Sequence, residues 1–328
     1  MRIAPATQRF ISKFTISPKF SKIAVAVSGG CDSVAMLLLL REWCRMKKLS
    51  ICVFHVDHSL RKTAEADALW VKELAESLGL EFYSRKAQQE DLENNTELGS
   101  EGWARHFRYS AFADMIDESG ADLIATGHNA DDQVETVFMR LLRGSSWQGL
   151  CGIKSIAYLN FGGKKLKLWR PILNIHRKEL EKYMISLNQE WRTDETNATD
   201  IYLRNKIRHI LIPELEKIQK DAITHISELG ADASDIQKYL SRKAERYLYI
   251  NSVDTETVKM LKVDKVIAPI LRREIIRLWL VKHGLGNSLT RALICRIDDL
   301  WKKPFNGKNV SHRKFSVVWR KKRLWLFM

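Results

Sequence analysis

Short apolar runs and longer amphipathic ones alternate through the first part of the chain. Ile23 to Val27 is a β-branched and alanine run of strand length, and Val34 to Leu40 is an apolar stretch suited to a buried helix. Ser50 to Arg61 reads as a second strand ending in a polar turn, and Ala66 to Leu78 has helical spacing through Leu69, Leu74 and Leu78. Leu80 to Ser84 is a third strand and Asp91 to Gly99 is polar and irregular. Glu101 to Glu118 reads as a helix carrying Arg105, Arg108 and Tyr109, and Asp122 to Thr126 as a fourth strand. In the next helix, Asp131 to Arg143, the residues Val134, Val137, Phe138 and Leu141 form the stripe of a core-facing surface. Strands alternating with helices at this spacing predict an α/β fold, with parallel β-α-β units and a sheet covered on both faces. Such sheets bind ligands outside the carboxyl ends of their strands. Three polar segments follow strands and are placed to share that edge: Ser28 to Ser33, His55-Val56-Asp57-His58, and Gly127-His128-Asn129.

Past Pro213 the pattern changes to long helices: Glu214 to Leu229, Ala233 to Tyr249, and a stretch around Leu271 to His283. Lys314 to Met328 alternates as a strand pair about a Lys321-Lys322 turn, with Trp319 and Trp325 as core candidates. The expected organisation is a catalytic domain over 20–212 and a mainly helical domain over 213–328.

Charge sharpens that division. Residues 213–328 hold 24 Lys+Arg against 13 Asp+Glu, whereas the remainder holds 30 against 26. A basic C-terminal third beside a nearly neutral front points to chemistry in the first part and polyanion binding in the second. A basic surface that merely confers solubility is the alternative. No apolar run approaches the ~18 residues of a membrane span, and the N-terminus shows no secretory pattern, so a cytoplasmic protein is expected. The five cysteines include no CxxC pair, which argues against a disulfide framework, structural zinc or an iron–sulfur cluster.

Candidate chemistry begins at Ser28-Gly29-Gly30-Cys31-Asp32-Ser33, between the first strand and its helix. Two glycines let successive N–H groups converge on an anion, and the helix N-terminus aims unpaired donors at the same point. This is a phosphate cradle, but neither GxxxxGK[ST] nor GxGxxG. An aspartate among phosphate ligands makes sense if Asp32 holds Mg²⁺, which favours carboxylate plus phosphate oxygens. A plain glycine turn capped by Asp32 or Ser33 is the alternative. The second centre lies at Gly127 to Thr136. Asp132 and Glu135 avoid the apolar stripe and stand roughly 60° apart on one helix face. Acids in a first turn commonly just cap the helix and offset its dipole; a functional pair would hold a cation. Arg204 and Arg208, at i, i+4 of a helix expected over Asp200 to Arg208, suit phosphate or carboxylate, with a salt bridge to Asp194 as the alternative.

The loop resembles the SGGxDS motif of the N-type ATP pyrophosphatases, which cleave ATP between its α and β phosphates. The segment GHNADDQVETVFMRLLRGSSWQGLCGI (Gly127 to Ile153) narrows the resemblance to the tRNA(Ile)-lysidine synthases. HVDHSLR, Ala104-Arg105…Arg108-Tyr109, Arg170-Pro171-Ile172-Leu173, Asp194 to Asn197 and Tyr202 to Arg208 match that family in order, over about Ile23 to Leu215. Asn129 stands where a second histidine is common, and Cys31 fills the variable loop position. Thiolating relatives carry a CxxC pair; this chain has none. Longer members carry a further C-terminal domain, and this chain reads as a short form.

The resemblance implies that ATP, with Mg²⁺ on Asp32, adenylates the wobble cytidine of isoleucine tRNA with a CAU anticodon. Free L-lysine then displaces AMP to give lysidine. It implies ATP contacts at Ser28, Gly29, Gly30, Cys31, Asp32 and Ser33, catalytic roles for Asp32, Asp132 and Glu135, and lysine contacts at His128, Asp132 and Glu135. Arg105, Arg143, Arg204, Arg208, Lys321 and Arg323 become the expected tRNA contacts; a homodimer is admitted. Rival readings are another nucleotide-modifying ATP pyrophosphatase and a non-catalytic RNA-binding protein.

Overall fold

The computed structural model describes residues 5–14, 20–59, 63–88, 99–192, 203–256, 258–263, 266–302 and 307–328. Its chain divides into two compact units, Met1–Met139 with Gly152–Glu228, and Arg140–Cys151 with Leu229–Met328.

The first unit is built on six strands: β1 (Lys22–Ala26), β2 (Ser50–Asp57), β3 (Glu81–Lys86), β4 (Leu123–Thr126), β5 (Ile156–Phe161) and β6 (Lys164–Trp169). Their order is β3-β2-β1-β4-β6-β5, parallel throughout except for β5, which pairs antiparallel with β6 at one edge. The expected parallel α/β sheet is therefore present. Alternation along its strands feeds two cores. Ile23, Val25, Val53, Leu123 and Ala125 face the helix Cys31–Lys47, where Leu37, Leu40 and Trp43 are buried. Ala24, Cys52, Phe54 and Ile124 face the helix Gly99–Ser119 through Tyr109, Phe112 and Met115. Burial on both faces is why these strands read as continuous apolar runs. The order runs outward from β1 in both directions, through β2 on one side and β4 on the other. The ends of β1 and β4 thus form the point where such sheets take ligands.

The sequence pattern missed the β5–β6 hairpin, which turns on Gly162 and Gly163 with φ of +55° and +75°, and the helix Arg177–Ser186. It also placed a break near residue 230. The structure has a helix Ile212–Ile218 and then one helix of 30 residues, Ala222–Asn251. Gly230 sits inside that helix because a β-carbon there would meet the Leu150 carbonyl at 3.3 Å.

In the second unit the expected strand pair is β10 (Phe315–Arg320) and β11 (Arg323–Phe327), widened by β7 (Ser252–Asp254), β8 (Lys259–Lys262) and β9 (Asn309–His312) into an antiparallel sheet, β7-β8-β11-β10-β9. Helices Pro269–Lys282 and Arg291–Lys302 bury Trp279, Trp301 and Trp319 with Leu261 and Leu324. Trp325 is half-buried and its indole N–H donates to the Arg320 carbonyl at 3.1 Å. Among the described residues no helix is long and apolar enough to cross a membrane.

Candidate active site

The loop after β1 turns at Gly29, whose φ of +92° favours glycine, and the Gly29 carbonyl accepts the Arg192 N–H at 2.9 Å. Gly30 caps the helix Cys31–Lys47 in extended backbone without a side-chain hydrogen bond. The Ser33 and Val34 N–H groups both return to the Gly30 carbonyl at 3.1 Å, and the opening donors of the helix point outward from its end. Ser33 Oγ donates to the Gly30 carbonyl at 2.8 Å and lies 3.2 Å from Ser28 N and Ser28 Oγ, so it braces the loop from inside. Ser28 is exposed. Burial, followed by the Asp32 charge, pushes the Cys31 thiol up to about 12, which makes it a packing group.

Asp32 is the unusual member. Its Oδ1 is buried without a hydrogen-bond partner, and burial pushes its carboxyl up to about 6. Arg177 and the Asn129 amide oppose that shift, whereas the nearby Asp132 and Asp131 charges add to it. A half-buried acid with one buried, bare oxygen, at a helix N-terminus and near further carboxylates, suits a small divalent cation. The described residues contain no cluster of three or more His, Cys, Asp or Glu able to enclose a metal alone, so phosphate would complete the shell, as Mg²⁺ prefers.

The loop after β4 touches this cradle directly. A β-carbon on Gly127 would stand 3.2 Å from Ser33 Cα and 3.3 Å from Ser33 N, so any side chain there would press the two backbones apart by a few tenths of an ångström. Asn129 then caps the helix Ala130–Leu142. Its Oδ1 accepts the Asp132 N–H at 3.0 Å, and Asp132 Oδ2 accepts the Asn129 N–H at 3.0 Å. Each satisfies a donor the helix start would orphan. Asp132 thus does cap the helix. Its other oxygen does something else.

Arg204 donates from Nε to Glu135 Oε2 at 2.5 Å and from Nη2 to Asp132 Oδ1 at 2.6 Å. Arg208 grips Glu135 with two donors, Nε to Oε1 at 2.6 Å and Nη2 to Oε2 at 3.2 Å. Glu135 is 0 % exposed, so a lone carboxylate there would be costly and two guanidinium groups offset that cost. Burial alone would lower the pKa of Arg204, but Asp132 and Glu135 raise it above its ordinary value. The arginines sit on a helix Leu203–Lys206 that continues as a π-helical turn, Ile207–Leu211. The Ile212 N–H donates five residues back to Ile207, and Pro213, without an N–H, cannot restore the regular bond to residue 209. Asp194, the alternative partner for these arginines, lies outside the described residues, as do Leu60, Arg61, Glu195 to Asn197 and Tyr202.

His128 stands beside the acid pair with Nδ1 3.1 Å from Thr126 Oγ1. Burial and the fields of Arg170, Arg204, Arg108 and Arg105 push its pKa down to about 3, so the ring is neutral. Arg105 lies over the Tyr109 ring, 5.0 Å from its centroid. Arg170, quoted only as part of a motif in the sequence, is 7 % exposed and donates to the Lys154 carbonyl at 2.6 Å. Arg170, Arg177 and Asn129 are contributors that sequence reasoning gave no role: the two arginines act through neighbours 16 and 46 residues away, whereas the Asn129 cap on Asp132, three residues on, is a local signal that was overlooked. In the second unit Arg143, Lys321 and Arg323 are exposed.

A family model described as the PP-loop domain matches residues 3–215. The tRNA(Ile)-lysidine synthase of Caldanaerobacter subterraneus subsp. tengcongensis is 32% identical over 306 residues, covering 92% of this chain and 64% of that protein. The tRNA(Ile)-lysidine synthase of Geobacter sulfurreducens is 35% identical over 236 residues, covering 72% of this chain and 49% of that protein. The chain therefore spans less than two thirds of the length of these relatives. Among solved structures, the U34-tRNA thiolase of Methanococcus maripaludis with its 4Fe-4S cluster superposes with a TM-score of 0.55 at 21% identity, covering 70% of this chain and 78% of that one. That likeness is one of fold.

Proposed function

The chain belongs to the PP-loop domain family, and from that premise we propose that it is an ATP-dependent ligase joining free L-lysine to C2 of the wobble cytidine of an isoleucine tRNA with a CAU anticodon. The observation that carries this reading is the buried Asp132–Glu135 pair beside the phosphate loop, within one continuous edge of the sheet. Its similarity to curated lysidine synthases supports the same chemistry.

In this reading the Ser28–Ser33 loop and the N-terminus of its helix take the ATP phosphates. Asp32 would hold Mg²⁺, which supplies charge neutralisation on the departing pyrophosphate. The cytidine C2 oxygen attacks the α-phosphorus and pyrophosphate leaves. The lysine ε-amine then attacks C2, the C2–O bond breaks, AMP departs and the amine proton passes to solvent. Asp132 and Glu135 orient the lysine, with the neutral His128 ring alongside as acceptor or donor. Because Arg204 and Arg208 already occupy both carboxylates, lysine binds by sharing or displacing a guanidinium group. In this reading Arg204 and Arg208 also meet the tRNA, with Arg105, Arg143, Lys321 and Arg323 as further contacts. The chain lacks the CxxC pair that a thiolating reading would need.

The test is direct. The protein is incubated with isoleucine tRNA, ATP and lysine, and the tRNA is digested to nucleosides for mass analysis. A cytidine heavier by one lysine less water is expected, with one pyrophosphate per modified tRNA. Pyrophosphate release that ignores lysine, with an unmodified cytidine, would overturn the reading.

A further inference from the structure

The helix Ala222–Asn251 belongs to the second unit from Leu229 onward. On one side of it Ala244 and Leu248 enter that unit's core. On the opposite side seven residues recur every three or four positions, and all are exposed: Leu229, Asp232, Asp235, Tyr239, Arg242, Arg246 and Ile250. Leu229 is 52 %, Tyr239 60 % and Ile250 68 % exposed. Three large side chains thus stand in water on a helix that already has a core to pack into. At 1.5 Å per residue the stripe is about 32 Å long.

The order of chemistry along the stripe gives it meaning. Two acids precede Tyr239, two arginines follow it, and an aliphatic residue stands at each end. Asp232 and Arg246 lie seven residues before and after Tyr239. Asp235 and Arg242 lie four before and three after, and Leu229 and Ile250 lie ten before and eleven after. The stripe is therefore its own complement when a second copy is laid across it antiparallel, with Tyr239 at the two-fold axis. Asp232 then meets the partner's Arg246, Asp235 meets the partner's Arg242, and Leu229 packs on the partner's Ile250. A parallel pairing would put acid on acid and arginine on arginine, so the charges select the antiparallel one.

These charges are free to be used. Among the described residues Asp232, Arg242 and Arg246 make no ion pair, and Asp235 makes one with Lys238 at 2.8 Å, an exposed i, i+3 contact of the weak kind. Compensation of the helix dipole does not account for the order, because it acts within the first and last turns. Asp232 and Asp235 stand ten and thirteen residues past Ala222. A nucleic-acid track does not account for it either, since Glu228, Asp232 and Asp235 share the exposed surface with the arginines and repel phosphate.

We propose that this face of the helix docks on the same face of a second copy of the chain, forming a symmetric dimer about Tyr239. An isologous contact of this kind closes on itself. Apolar pairs at its two ends, an aromatic pair at its centre and ion pairs between them fix the register, and the ion pairs make its strength fall with salt. The pairing does not depend on the chemistry assigned to the first unit.

Sedimentation velocity on the full chain, over a concentration series at low and high salt, provides the test. The wild-type protein is expected to pass from monomer to dimer as concentration rises, with a Kd that increases with salt. Asp232→Arg and Arg246→Asp each place like charges at two points of the contact, and each is expected to raise the dimer Kd about tenfold or more. The double variant Asp232→Arg/Arg246→Asp exchanges the two charges across the same pairs and is expected to restore the wild-type Kd. These variants change exposed positions only, and thermal melts check that each folds. A wild-type protein that stays monomeric at every concentration overturns the proposal. So does a dimer indifferent to the single reversals, or a double variant no tighter than they are. Filter binding with tRNA covers the other occupant. If Arg246→Asp weakens and Asp232→Arg strengthens RNA affinity with no change in mass, the face belongs to nucleic acid and the dimer is refuted.

Discussion

Gly127 and Ser33 approach so closely that a single β-carbon on Gly127 would stand 3.2 Å from the Ser33 α-carbon. Ser33 belongs to the phosphate loop and Gly127 opens the segment that carries His128, Asn129 and Asp132, so this contact sets the distance between the two halves of the proposed site. Gly127→Ala is expected to push the two backbones apart by a few tenths of an ångström while the sheet remains intact. Displacements approaching 1 Å cost as much as about 10²-fold in rate, so a ten- to hundredfold loss of pyrophosphate release, roughly, is expected in a protein that still folds. Steady-state pyrophosphate assays beside a thermal melt measure both quantities.

A different test isolates Asp32. Its carboxyl is raised from an ordinary value of 3.8 to about 6 by burial. A raised acid favours its protonated form in the folded state, so its contribution to stability is greatest at low pH and is lost as pH climbs from near 4 to above 6. The loss is on the order of 3 kcal/mol for a shift of that size. Asp32→Asn removes this titration, so without Mg²⁺ the variant is expected to melt higher than wild type at pH 7.5, and the gap closes at pH 4.5. Its pyrophosphate release is expected to fall by orders of magnitude if metal–phosphate stabilisation is lost. Calorimetric melts at both pH values, with and without Mg-ATP, check the pair of outcomes.

Much of the first unit was legible because its signals are local. The alternation of Ile23, Ala24 and Val25, the adjacent glycines and the apolar helix after them specify a strand, a cradle and a helix without reference to the rest of the chain. The Val134–Leu141 stripe did the same for the acid-bearing helix. The partners of Glu135 were not legible, because Arg204 and Arg208 reach it across 69 and 73 residues of sequence. The long helix through Gly230 was hidden for a related reason. Glycine costs a helix about 1 kcal/mol relative to alanine, and what offsets that cost here is close approach to the Leu150 carbonyl. β7, β8 and β9 are three or four residues long; they exist as strands through their sheet neighbours rather than through a pattern of their own.

The β10–β11 hairpin turns at Lys321 and Lys322 with φ of +49° and +59°. A two-residue hairpin turn of this kind favours Asn-Gly, because left-handed backbone strains residues with a β-carbon. Two lysines at the tip therefore sacrifice stability for exposed charge. Lys321→Asn combined with Lys322→Gly is expected to raise stability by about 1 kcal/mol and to weaken tRNA binding, with a salt slope shallower by about two counterions. Denaturant midpoints and filter binding across a salt series report the two effects. Unchanged affinity and slope would place the tRNA contacts elsewhere.

The sharpest prediction concerns Asp132 and Glu135. Had they only capped a helix, replacing them with Asn and Gln would cost about 1 kcal/mol. With Arg204 and Arg208 bound to them, neutralising both acids strands two partly buried guanidinium groups, and removing one partner of such a buried pair costs about 3–5 kcal/mol. The cleaner variant is Asp132→Asn alone, since Glu135 then still holds both arginines through Nε. If the pair orients lysine, Asp132→Asn is expected to release pyrophosphate and accumulate adenylated tRNA at near the wild-type rate. Lysidine formation falls at ordinary lysine concentrations and recovers as lysine is raised, because what is lost is binding. Arg204→Gln, which removes the closer of the two guanidinium groups on the same carboxylate oxygen and leaves Arg208 at 3.5 Å, is expected to act oppositely on lysine KM if the guanidinium and the ammonium compete for it. Single-turnover assays that follow the adenylate and lysidine separately resolve the two steps. Equal loss of both half-reactions in Asp132→Asn, unmoved by lysine, would remove the acid pair from the lysine site and assign it to ATP or its metal.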